Sequence, residues 1–122
     1  MRIAIIDDNM DYVDSFREVI DDAVPDSVVR VFECPFDAKD WSADLAIVDV
    51  SSVVPISMWH TAASSLASYC SRHPGTQIII MSGLPTSFLL EIADELREMC
   101  PESRITVADC RDLYNHLQDI LK

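Results

Sequence analysis

The chain has 122 residues, 49% apolar and 25% charged, with a formal net charge of −12 and a pI near 4.3. Such a composition describes one folding unit of ordinary size with a hydrophobic core, and it excludes a disordered tail, a fibre or room for a second folded domain. The negative balance repels nucleic-acid phosphates and anionic membrane surfaces, and suits divalent cations and basic partner faces instead.

No basic leader precedes an apolar stretch, and no apolar run approaches the roughly 20 residues that cross a bilayer. A cytoplasmic protein is expected. Cys34, Cys70, Cys100 and Cys110 form no CxxC, and His60, His73 and His116 add no zinc spacing. The cysteines read as reduced core or boundary thiols, the histidines as surface or helix-terminal residues.

In chain order, the first apolar run, Ile3 to Ile6, is continuous, as in a parallel strand covered on both faces. Asn9 is placed to cap a helix from about Met10 to Ala23, with Val13, Phe16, Val19 and Ile20 inward and Pro25 ending it. Ser27 to Phe32 reads as a second, edge strand. Between Glu33 and Asp44 there is room for only one or two helical turns, anchored by Phe36 and Trp41, so the second helix is short or eroded. Leu45 to Val50 is the third strand, and a helix from about Met58 to His73 follows a loop containing Ser51, Ser52 and Pro55. Pro74-Gly75 closes that helix. Gln77 to Met81 is the fourth strand, Ser82-Gly83 its exit, and a helix then runs from Thr86 or Ser87 to about Cys100, where Pro101 stops it. Arg104 to Ala108 is a weak fifth strand, and Leu113, Leu117, Ile120 and Leu121 mark a final amphipathic helix.

Five β-α units in so short a chain, joined by right-handed crossovers, predict an α/β three-layer sandwich. Its core is a doubly wound, flavodoxin-like (βα)5 sheet of five parallel strands in the order 2-1-3-4-5. Strands one and three then flank the switch point of the sheet. Asp7 and Asp8 follow the first strand, Asp49 ends the third and Ser82 follows the fourth, so all four are expected at one edge, in the crevice where such sheets bind ligands. Asp8, Asp49 and the backbone carbonyl of Ser51 are a credible oxygen set for Mg2+. A carboxylate at such a site can also attack a phosphoryl group, and Asp49 is the natural nucleophile. Taken singly, these residues are better read as helix caps and turn formers; their joint placement reverses that and favours an acidic metal pocket.

Three segments together resemble the receiver domains of two-component response regulators: Ile6-Asp7-Asp8-Asn9, Asp44-Leu45-Ala46-Ile47-Val48-Asp49 and Ile78-Ile79-Ile80-Met81-Ser82-Gly83. The likeness spans the chain, 1–122, as a single receiver-like domain, and the start at Met1 leads us to expect a stand-alone one. By this resemblance Asp49 is the phosphoacceptor, charged by a histidine kinase or phosphotransfer protein. Asp7 and Asp8 hold Mg2+, and Ser82 is the hydroxyl that bonds the phosphoryl group. Self-phosphorylation is then the only chemistry, with no turnover enzyme implied. A downstream protein would read the change on the fourth helix and fifth strand, with Leu84, Pro85 and Phe88 beside Ser82.

One departure is serious. The lysine that the family carries at the end of strand five, normally followed by proline, is missing from Ile105-Thr106-Val107-Ala108-Asp109-Cys110, and the strand-five aromatic has no counterpart. The loss removes a charge-assisted contact to the acceptor. Two classes of function follow: a phosphorylatable receiver, and a degenerate receiver that works as a phosphorylation-independent interaction module. A phosphatase or a flavin protein on a similar sheet is disfavoured, because Gly75 and Gly83 are the only glycines and no Gly-rich phosphate loop exists.

Overall fold

Three of the five strands owe their place to runs of aliphatic residues with no polar break, which can be buried only if both faces of a sheet are covered. In the computed structural model, which describes residues 1–82, 85–109 and 113–120, these runs form β1 (Arg2–Ile6), β3 (Leu45–Asp49) and β4 (Gln77–Met81). With β2 (Val28–Phe32) and β5 (Arg104–Val107) they make one parallel sheet in the order β2-β1-β3-β4-β5. This is the expected doubly wound α/β architecture. Gly83, Leu84, Cys110 and Leu121 lie outside the described residues, as do the side chains of Leu113, His116 and Ile120.

The two faces separate by residue parity. Ile3, Ile5, Leu45, Ile47 and Ile79 pack with Val13, Phe16 and Ile20 of α1 (Met10–Ala23) and Leu117 of α4 (Leu113–Ile120). Ala4, Ile6, Ala46, Val48, Ile78 and Ile80 pack with Leu66 and Tyr69 of α2 (Ala62–Arg72) and Leu89, Ile92 and Leu96 of α3 (Thr86–Met99). Three layers result. β2 is the edge strand expected, with its residues exposed or half-buried rather than sealed.

Asn9 caps α1 through its side-chain oxygen, which accepts from the amides of Asp11 and Tyr12. Between β2 and β3 the eroded helix is a series of overlapping four-residue turns over 35–40, closed by bonds such as Ala38 N to the Pro35 carbonyl at 3.1 Å. Trp41 does anchor this connection, tilted against Phe32 with the Arg2 guanidinium 4.4 Å from its ring centre. Phe36 does not: it is 70% exposed, and the buried Ala38 and Ala43 fill the space instead. The reason is length, since consecutive turns let small residues reach the sheet while the bulky ring between them is left outside.

The helix expected from Met58 begins later. Residues Ile56–Thr61 form a 3₁₀ segment in which Met58 departs from helical angles, and regular α2 starts at Ala62. Cys34, Cys70 and Cys100 are free thiols, and burial pushes the Cys70 thiol up to about 12, which leaves it inert. Among the described residues no helix is long and apolar enough to cross a membrane.

Candidate functional site

The ladder between β1 and β3 sets Ile6 beside Val48, so the next residues, Asp7 and Asp49, stand at one level on neighbouring strands. The bond from the Asp7 amide to the Phe32 carbonyl, 3.0 Å, carries the β1 geometry one residue past the strand. Both side chains are buried, at 1% and 8% exposure, whereas Asp8 is exposed. One carboxylate oxygen from each of Asp7, Asp8 and Asp49 lies within 4.8 Å of the others. Like charges side by side on adjacent strands repel, so this cluster calls for a cation or a proton.

Below about pH 6 a proton on Asp7 supplies part of the answer. Asp7 Oδ1 accepts from the Asn9 amide at 2.8 Å, while Oδ2 is buried with no hydrogen-bond partner among the described residues. Burial raises the Asp7 carboxyl from its ordinary 3.8 to about 6; the Asn9 amide works against this, and the negative charge of Asp49 adds to it. A buried carboxylate oxygen lacking a donor fits a metal ligand, and a set of three carboxylates fits hard, oxygen-seeking cations such as Mg2+ or Ca2+.

Asp49 closes β3 and caps the short 3₁₀ turn Val50–Ser52. Its Oδ1 accepts from the Ser51 amide at 3.1 Å and its Oδ2 from the Ser51 hydroxyl at 2.8 Å. Sequence reasoning gave Ser51 only a backbone carbonyl role and missed this hydroxyl. An aspartate followed two residues later by serine permits, without requiring, an Asx turn in which both amide and side chain return to the carboxylate.

Asp49 pairs in register with Met81, so Ser82 lies one step beyond it at the same edge, where it is buried at 5% exposure. On the far side β5 pairs Val107 with Ile80, and the Ala108 amide donates to the Ile80 carbonyl at 2.9 Å. Continuing that ladder sets Asp109, half-buried, at the level of Ser82. An acidic residue thus occupies the end of strand five. Trp59 and Phe88 stack with ring centres 4.4 Å apart and planes at 10°. This contact joins the segment after β3 to the first turn of α3.

No protein-family model matches the sequence, and no curated protein matches it. Solved structures resemble it in fold. A CheY-like response regulator receiver domain protein from Methanospirillum hungatei JF-1 superposes with a TM-score of 0.65 at 18% identity, covering 98% of this chain and 92% of that one. A response regulator from Burkholderia pseudomallei, solved with a phosphorylated aspartic acid, a calcium ion and citrate, gives 0.63 at 15% identity, covering 98% and 68%. A response regulator from Thermotoga maritima gives 0.59 at 12% identity, covering 98% and 96%. The chain therefore has the fold of response-regulator receiver domains.

Proposed function

We propose that the chain is a signalling receiver in which Asp49 accepts a phosphoryl group from the phosphohistidine of a kinase or phosphotransfer protein. The observation that carries this reading is the convergence of Asp7, Asp8 and Asp49 within 4.8 Å at the carboxyl edge of the sheet. A carboxylate oxygen of Asp49 forms the new O–P bond as the N–P bond to the donor histidine breaks. Asp7, Asp8, Asp49 and the Ser51 carbonyl would hold Mg2+, which when bound offsets the charge of two approaching anions.

The Ser51 hydroxyl and amide fix the orientation of the Asp49 carboxylate. Ser82, beyond β4, would donate to a phosphoryl oxygen and draw its loop inward. The stack of Trp59 on Phe88 would pass that movement to α3. Arg97 Nη2 donates to the Ile105 carbonyl at 2.7 Å, tying α3 to β5, so a target protein would meet these two elements as one face.

A second reading, an interaction module that works without phosphorylation, is favoured by Asp109 standing where a cation would assist the acceptor. One experiment separates the two. The native chain is incubated with Mg2+ and acetyl phosphate and weighed intact beside Asp49→Ala. Gain of one phosphoryl group that hydroxylamine removes, in the native chain alone, supports the receiver. A native chain that binds Mg2+ yet gains nothing supports the module.

A further inference from the structure

The missing helix between β2 and β3 leaves a groove beside α2, with a volume of about 340 Å³. That lies within the roughly 300–1,000 Å³ typical of small-molecule sites. One wall is a single face of α2, since Ser65, Ser68, Tyr69 and Arg72 are spaced i, i+3, i+4 and i+7. The other is the 35–40 turn segment, with the Phe36 ring outside and the Lys39 ammonium 3.9 Å from its centre.

The chemistry of this groove runs against that of the whole chain. Two of the nine Lys and Arg residues in a protein of net charge −12 line it. Asp40 pairs with Arg72 at 3.2 Å, but the two side chains are 78% and 54% exposed, so the pair exchanges readily with another anion. Tyr69 carries a buried hydroxyl with no hydrogen-bond partner among the described residues, and burial keeps that phenol protonated as a donor. An ammonium, a guanidinium and serine side chains therefore line the groove together with an exposed aromatic ring, and the Tyr69 phenol lies buried in its wall.

We propose that this groove binds a small organic anion with an aromatic body, its charged group between Lys39 and Arg72 and its ring against Phe36. The site is separate from the acidic cluster. A crossover helix runs antiparallel to its strands, so the Arg72 end of α2 lies toward the amino edge of the sheet, away from Asp49. The inference stands whether or not Asp49 is phosphorylated.

The test is a titration of ¹⁵N-labelled native chain with phenyl phosphate, followed by amide shifts in EDTA so that no metal bridges the ligand to the acidic site. Inorganic phosphate and phenol are the comparison arms. Saturable shifts centred on Phe36, Lys39, Ser68 and Arg72 are expected, with both comparison ligands binding at least roughly tenfold more weakly. Lys39→Gln and Arg72→Gln should each weaken phenyl phosphate by roughly tenfold while leaving the rest of the spectrum in place. Absence of saturable shifts would overturn the proposal. So would shifts centred on Asp7 and Asp49, equal binding of inorganic phosphate, or affinity unchanged in both variants.

Discussion

Replacing Asp7 by asparagine should make the metal-free protein more stable, although Asp7 is the most buried acid of the site. Its carboxyl is raised from 3.8 to about 6, chiefly by burial and, against the Asn9 amide, by the charge of Asp49. Below 3.8 the group is protonated in both folded and unfolded chains; between 3.8 and about 6 only the folded chain keeps the proton. The stability tied to that proton is therefore full at low pH and is lost as pH rises through about 6. At about 1.4 kcal/mol per pH unit the displacement amounts to about 3 kcal/mol, and water reaching the cleft beside exposed Asp8 lowers this to about 1–2 kcal/mol. Asparagine keeps the oxygen that the Asn9 amide needs and removes the charge. In EDTA at about pH 7, Asp7→Asn should gain about 1–2 kcal/mol, or roughly 5 °C in Tm, and the gain should vanish below about pH 4. Added Mg2+ should reverse the ranking, because binding at 100-fold over Kd stabilises the native chain by about 2.7 kcal/mol and the variant by less. Thermal unfolding by circular dichroism across pH, with and without Mg2+, reads all of this. A variant less stable than the native chain in EDTA at about pH 7, or a gain that persists unchanged at about pH 4, would show that the buried Asp7 charge does not cost the fold stability.

Asp109→Lys should place a cation at the level of Ser82 and raise the rate of phosphorylation by acetyl phosphate roughly tenfold or more, by the charge-assisted contact it restores; an unchanged rate in intact-mass time courses would show that this position does not face the acceptor. Asn9→Ala removes the oxygen that accepts from Asp11 and Tyr12, and should cost about 1 kcal/mol in urea unfolding with an unchanged m-value. Trp59 stacks on Phe88 in the segment that follows Asp49 along the chain, so Mg2+ titration should change tryptophan emission in the native chain and in Trp41→Phe, but not in Trp59→Phe.

The sheet and its edge were legible because they rest on the strongest signals a sequence carries. Ile3 to Ile6, Leu45 to Val48 and Ile78 to Met81 admit one arrangement, buried on both faces, and the residues that end such runs must share an edge. Helix α1 was equally plain, with Asn9 to start it and a regular apolar stripe to fix its face. The connection between β2 and β3 was less so. Its few turns left open which residues would reach the core, and the two alanines at 38 and 43 displaced the more hydrophobic Phe36. The late start of α2 at Ala62 has a similar cause, since Pro55 initiates a 3₁₀ segment whose angles break at Met58. At the site, residue types and levels could be read in advance, but not the engagement of both Asp49 oxygens by Ser51. That depends on local backbone geometry, which a run of Asp-Val-Ser-Ser permits without requiring.

Whether Asp49 and a metal together accept a phosphoryl-shaped group is tested directly, without a kinase, by ¹⁹F NMR with beryllium and fluoride. In the presence of Mg2+, protein-bound fluoroberyllate resonances are expected, distinct from those of the free species, that disappear with EDTA and are absent from Asp49→Ala. A native chain whose acidic site is saturated with Mg2+, yet which shows only free fluoroberyllate, would contradict it.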